Sequence, residues 1–346
     1  MPNFKRAAVL IALTLLSFHT PNTYAGPALE RTIFERLFDG PKVVNVVDDF
    51  LIFWEQAKHL PLARQRKLWM QMVETRHRDY FDRAVYRGAD LKSRRAMLDE
   101  FLVRVPEKID AIREFNKNIS DIHTSLLVMA FIDFKTRFRE YQQQQDIYIG
   151  LSLFRFDGAV RSLHNDSGIP DTLCLGAEVL AGYPPDQLRI ALLHEFFHLY
   201  HFSFLFQQPA LVEFRTPHMP LMIEGMAVAG TEAIYPGQKR SFYLHFSDEE
   251  FKAQEQDLTT SAAEFLELIA LSAPPERYAP WFTNAQSDWV PPRGGYLLGY
   301  EVTNRVLATT SLEQMIRMTP AELREHAEEQ LSAMASGGIM ILTSSR

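Results

Sequence analysis

One apolar run constrains this chain more than any other feature. Between Ile190 and Leu199 the only polar side chains are His194, Glu195 and His198. Pro184-Pro185-Asp186 opens a helix ahead of the run, with Pro suited to its first turn. The body extends from Leu188 to about Tyr200. A helix that is apolar on nearly every side has to be covered on every side, so it belongs at the centre of the fold. Polar groups in such a place require partners, because an unpaired buried polar group costs several kcal/mol.

On a helix, His194 and His198 stand at i and i+4, one turn apart on one face. Two imidazoles so placed can share a tetrahedral zinc ion. Glu195 is rotated from them around the axis, so its carboxylate can reach a water on the ion rather than the ion itself. Phe196 and Phe197, with Leu192, Leu193 and Leu199, surround the three with apolar side chains and lower the local dielectric. A catalytic zinc ordinarily has three protein ligands and one open position. His201, Glu213, His218, Glu224 and Glu232 are candidates for the third. Glu224 stands out. It interrupts a second apolar helical run, Leu221 to Ala229, where a carboxylate without a cation is expensive to bury. Gly225, Ala227 and Ala229 leave room for that run to pack closely on the first.

His194-Glu195-x-x-His198 followed by Glu224-Gly225-x-Ala227 resembles the gluzincin class of zinc metallopeptidases. More narrowly it is similar to exported bacterial proteins known only as predicted zinc-dependent proteases of unknown substrate. The likeness extends over about residues 146–331. It implies that His194, His198 and Glu224 are the ligands, Glu195 the general base, and the fold a zincin-like core. Ile223 rather than Asn precedes Glu224, a departure from the aminopeptidase branch.

The remaining sequence frames this reading. Residues 1–25 have the order of a signal peptide: Lys5 and Arg6, then an apolar stretch from Ala7 to Phe18, then Thr23-Tyr24-Ala25 as a cleavage site. The stretch is too short to span a bilayer, which needs about 20 apolar residues, and export to the periplasm or medium is expected. The formal net charge of −7 argues against nucleic acid as a partner. The single cysteine, Cys174, excludes an intramolecular disulfide and sits in an apolar context, as a buried thiol would. Stable membrane insertion is not expected, and the expected partner is a peptide or protein substrate.

Residues 26–145 read as a helical region. Phe34, Leu37 and Phe38, then Phe50, Phe53, Trp54 and Ala57, recur at helical spacing. Charged helices follow over Arg64–Arg87 and Leu91–Val103. Pro106 opens another helix, and Leu126–Tyr141 continues the pattern. Residues 146–336 read as the core. Ile147–Phe154 is rich in strand formers, Asp157-Gly158 is a favoured hairpin turn, Ala159–Leu163 offers the returning strand, and Thr172–Gly176 a third. Ser247–Leu271 is an acidic helical stretch, a helix pair starts near Tyr296, and 337–346 is a tail. The fold class is α+β, mostly helical, with a small sheet.

Peptide hydrolysis also needs a donor for the developing oxyanion. Tyr296 and Tyr300 lie at i, i+4 behind Gly294-Gly295, with Tyr296 favoured by its place at the loop–helix boundary; both also fit as core aromatics. Glu232 is a candidate to orient a ligand histidine. Phe202, Phe204 and Phe206 fit either a pocket wall or the core. The sequence therefore points to a zinc-dependent hydrolase, most simply a peptidase. Its alternatives are a zinc amidase acting on a non-peptide substrate and a silent zinc-bearing protein of the cell envelope.

Overall fold

A computed structural model describes residues 42–120, 125–142, 145–166, 169–207, 215–283 and 290–337. The expected leader, the helical spacing at Phe34, Leu37 and Phe38, the candidate ligand Glu213 and residues 338–346 of the tail lie outside them. The described chain is mostly helical with one small mixed sheet. Helices of eight residues or more are numbered here.

Strand β1 (Val43–Asn45) leads directly into α1 (Val46–Ala57). Asn45 caps that helix, its side-chain oxygen accepting from the N–H of Val47 at 3.0 Å. The buried face of α1 carries Phe50, Phe53, Trp54 and Ala57. After α2 (Leu62–Trp69) the chain does not continue as an α-helix. It winds into two π-helical segments, Met70–Glu74 and Tyr80–Tyr86. The Glu74 carboxylate holds the pair together by accepting from Trp69 Nε1 at 3.1 Å and from the Tyr86 hydroxyl at 2.9 Å. Helices α3 (Leu91–Arg104), α4 (Ile109–Ser120) and α5 (Leu126–Arg137) complete this part, with Trp69 and Phe101 in ring contact at 5.4 Å within its core.

The sheet differs from the sequence expectation in strand number and in pairing. Strands β2 (Asp146–Gly150), β3 (Gly158–Arg161) and β4 (Thr172–Gly176) join β1 in the order β1-β2-β4-β3. β2 and β3 do not form a hairpin. β2 runs parallel to β4, with Ile147 opposite Leu173, and β3 lies antiparallel on the other side of β4, with Ala159 opposite Cys174. Every residue of β4 is buried, and it takes one of the two inner positions of the sheet. Asp157-Gly158 opens β3 instead of turning back from β2, its Asp157 carbonyl accepting from Gly176 N–H at 2.7 Å. β1 comes from the stretch read as wholly helical and pairs parallel with β2, Val43 opposite Ile147. Three residues are too few to show a strand period in the sequence.

Helix α6 (Pro185–Leu205) is the central element. It packs on α5, on β3 and on α7 (His218–Ile234). Phe134 of α5 meets Phe196 at 5.9 Å and Tyr200 at 5.9 Å, while Phe138 meets Tyr200 at 4.7 Å. Helices α8 (Asp248–Gln256), α9 (Leu258–Ala270), α10 (Gly294–Leu307) and α11 (Pro320–Ala335) close the far side. The acidic start of α8 forms a capping box between Ser247 and Glu250.

Gly225 packs elsewhere than expected. A Cβ there would stand 2.1 Å from the carbonyl oxygen of Gly299, and one at Gly299 would stand 2.2 Å from that of Leu221. The two glycines therefore bring α7 and α10 into backbone contact. Against α6, it is Gly230 of α7 that admits a close approach, with the Phe197 ring lying over it. Among the described residues no helix is long and apolar enough to cross a membrane.

Candidate metal centre

Helices α6 and α7 bring His194, His198 and Glu224 together, with one donor atom from each lying within 4.8 Å of the others. The Glu224 carboxylate is 3.0 Å from His194 Nε2 and 3.2 Å from His198 Nε2, both through Oε2. The imidazoles meet edge to face, with centroids 4.5 Å apart, so their ring nitrogens converge rather than stack. Burial works against ionisation of Glu224, yet the imidazoles of His198 and His194 hold its carboxyl far below the ordinary carboxylate range. The site thus keeps an anionic oxygen between two imidazole nitrogens. Two nitrogen donors and one oxygen donor, buried together, form a set that suits a divalent zinc ion.

Glu195 lies between the triad and β3, its side chain against Gly158. It is buried, and its Oε2 has no hydrogen-bond partner among the described residues. Burial pushes its carboxyl up to about 8, with Asp157 and Glu224 adding to the rise and His198 opposing it. Gly158 makes this arrangement possible: a Cβ at that position would stand 2.5 Å from both Cγ and Cδ of Glu195.

The triad and Glu195 open onto a cleft of about 510 Å³. β3 forms one wall through Gly158, Ala159, Val160 and Arg161, and Tyr296 lies on the wall formed by α10. The Tyr296 ring is centred 6.3 Å from that of His194. Burial raises its phenol well above the ordinary value, so it remains a proton donor. Tyr300 is held elsewhere, its hydroxyl donating to the Glu232 carboxylate. That bond commits Glu232 to α10 and not to a ligand histidine. The buried His198 Nδ1 has no partner among the described residues.

His201 and His218 stay outside the donor group. Both are buried, and burial pushes His201 down to about 3 and His218 to about 4. Of the three alternating phenylalanines, Phe202 lines the cleft, its ring stacked 5.7 Å from His198.

Several cleft residues carry no motif and went unread in the sequence. The Asp157 carboxylate accepts from Gly158 N–H at 2.8 Å and from the Tyr183 hydroxyl at 2.9 Å. His245 stacks on Tyr183 at 5.2 Å, and its Nδ1 lies 2.9 Å from Gln187 Nε2. Arg293 places its guanidinium 4.3 Å from the centre of the Tyr296 ring. Phe154, His245 and Arg293 all have left-handed backbone, with φ of 60°, 54° and 57°. Non-glycine residues hold that conformation only where surrounding structure imposes it, and such strain gathers at functional sites. The bracketing of Arg293 by Pro291-Pro292 and Gly294-Gly295 is the one sequence signal that could have singled it out.

Comparison with protein-family models, with curated proteins and with solved structures returned no match.

Proposed function

We propose that the protein is a zinc-dependent peptidase with a zincin-like core, in which His194, His198 and Glu224 hold the metal. The observation that carries this reading is the convergence of those three donors beside a buried carboxylate whose Oε2 has no partner. Zinc bound there supplies Lewis acidity, acidifying a water molecule toward a pKa of ~7 and polarising a carbonyl.

This chain's own residues do the rest. Glu195 takes the proton of the attacking water and passes it to the leaving amine. Burial raises its carboxyl while the neighbouring imidazole of His198 lowers it, and opposed influences of this kind hold a group near the range where it can both accept and return a proton. The Tyr296 hydroxyl donates to the oxyanion as the carbonyl carbon becomes tetrahedral. The apolar surroundings of α6 exclude water and strengthen both interactions.

The shape of the cleft favours a peptide over a small amide. Among the described residues β3 pairs only with β4, at the end of the sheet order, and its residues form a wall of the cleft. An extended peptide can add to such an edge through main-chain hydrogen bonds. Export belongs to the same proposal and rests on the leader-like order of residues 1–25.

Elemental analysis and peptide-library hydrolysis test the reading. Purified protein should contain about one zinc per chain, and His198→Ala should lose it. Glu195→Gln should keep the metal and lose turnover. Metal-free protein with both histidines intact would refute the proposal. A zinc-loaded protein that cleaves only small amides, or nothing, would replace the peptidase reading with an amidase or a silent binding protein.

A further inference from the structure

Three arginines line the cleft, and two of them have no acidic partner. Arg155 lies 3.5 Å from Glu100. Arg161 and Arg293 make no ion pair among the described residues, although the chain has more acidic than basic side chains, 43 against 36. Arg161 donates through one terminal nitrogen to the carbonyl of Val160 at 3.0 Å, and its Nε is buried without a partner. Arg293 stacks over Tyr296 at 4.3 Å and faces Phe246 at 5.9 Å. Its backbone is held by a bond from its N–H to the Thr283 carbonyl at 2.9 Å.

None of the carboxylates that line the cleft forms a direct ion pair with Arg161 or Arg293 among the described residues, although Asp157 feels the charge of Arg293 and Glu195 that of Arg161. Asp157 is bound by Gly158 and Tyr183, Glu224 lies between the imidazoles, and Glu195 sits against Gly158. Guanidinium groups in a cleft that make no direct ion pair keep hydrogen-bond donors for a ligand, and a ligand carboxylate would satisfy them. The planar fork of an arginine matches a carboxylate through two parallel hydrogen bonds.

We propose that the cleft selects acidic peptides. Arg293 receives a substrate carboxylate beside the Tyr296 wall, and Arg161 receives a second one further along β3. The inference rests on the peptidase reading for its substrate but not for its binding chemistry, so the two can fail separately.

The test uses blocked peptides of equal length with Glu, Gln or Lys at each position in turn. With the zinc-loaded wild-type protein, a Glu peptide should be cleaved with a kcat/KM about tenfold or more above its Gln counterpart, the size of effect that charge-assisted hydrogen bonds produce. Lys peptides should be poorest. Arg293→Met should bring the Glu/Gln ratio toward one, Arg293→Lys should retain part of it, and Arg161→Met should lower it at a different peptide position. Fluorescence anisotropy of the same labelled peptides on Glu195→Gln protein reads binding without turnover, and there too the Glu preference should depend on Arg293. If nothing is cleaved but that preference remains, the hydrolase reading fails and the acidic selectivity stands. Equal cleavage and equal binding of Glu and Gln peptides by the wild-type protein would overturn the proposal, as would an unchanged ratio in Arg293→Met.

Discussion

Gly158→Ala isolates the contact between the sheet edge and the proposed general base. The added Cβ would stand 2.5 Å from Cγ and Cδ of Glu195 and 2.6 Å from Oε1, where ordinary contact begins at 3.4 Å. Either β3 or the carboxylate has to move by roughly 0.9 Å. β3 is paired along its length to the fully buried β4, so the side chain gives way. Forcing it off its rotamer costs about 0.5–1.5 kcal/mol, offset in part by the better strand propensity of Ala over Gly. Thermal stability should therefore change little and zinc content should stay the same, because no ligand is touched. Turnover is another matter. A displacement of about 1 Å in a reacting group costs on the order of 100-fold in rate. The assay is kcat on a fluorogenic peptide at saturating zinc, with the metal measured on the same sample. In a Glu195→Ala background the added methyl should have no further effect, since its target is gone. Wild-type kcat in metal-replete Gly158→Ala, or an equal loss in both backgrounds, would refute the reasoning.

Other perturbations separate structure from chemistry. Gly225→Ala or Gly299→Ala forces apart two helix backbones in direct contact. Each should cost about 3 kcal/mol, read by calorimetry as a fall in the thermal midpoint of roughly 6 °C. Tyr296→Phe should lower kcat by about 10²–10³ without loss of zinc. Tyr300→Phe, which removes the hydroxyl bonded to Glu232 and Asn304 outside the cleft, should leave kcat unchanged. His218 is buried and its pKa is pushed down to about 4 from 6.5. The unfolded chain takes up this proton at a higher pH than the folded one. The folded state is therefore destabilised as pH falls from about 6.5 to 4, by up to about 3 kcal/mol from this group. Urea midpoints measured against pH should show a shallower acid slope in His218→Phe.

The stretches that could be read in advance carry their determinants locally. The helix of His194, Glu195 and His198 is announced by Pro185 at its start and by an apolar body that can only be buried. Glu224 is marked by its isolation in a second apolar run. Cys174 sits between leucines and is buried in β4. The sheet was harder, because strand pairing is decided by partners far apart in the chain. Asp157-Gly158 has the composition of a turn, yet β4 takes both neighbours and leaves β2 and β3 unpaired with each other. β1 has three residues and no period of its own.

Residue chemistry and helical spacing by themselves determined that two imidazoles and a carboxylate share one turn of a buried helix, since i, i+4 geometry is a property of the backbone alone. Only the tertiary structure decided what surrounds them. It selected Tyr296 for the cleft wall and tied Tyr300 to Glu232. It placed Gly158 against Glu195, and among the described residues it left Arg161 and Arg293 without a direct ion pair. Those outcomes depend on the close approach of α7 to α10 and on the edge position of β3. Both are set by packing between segments remote in sequence, which no local pattern encodes.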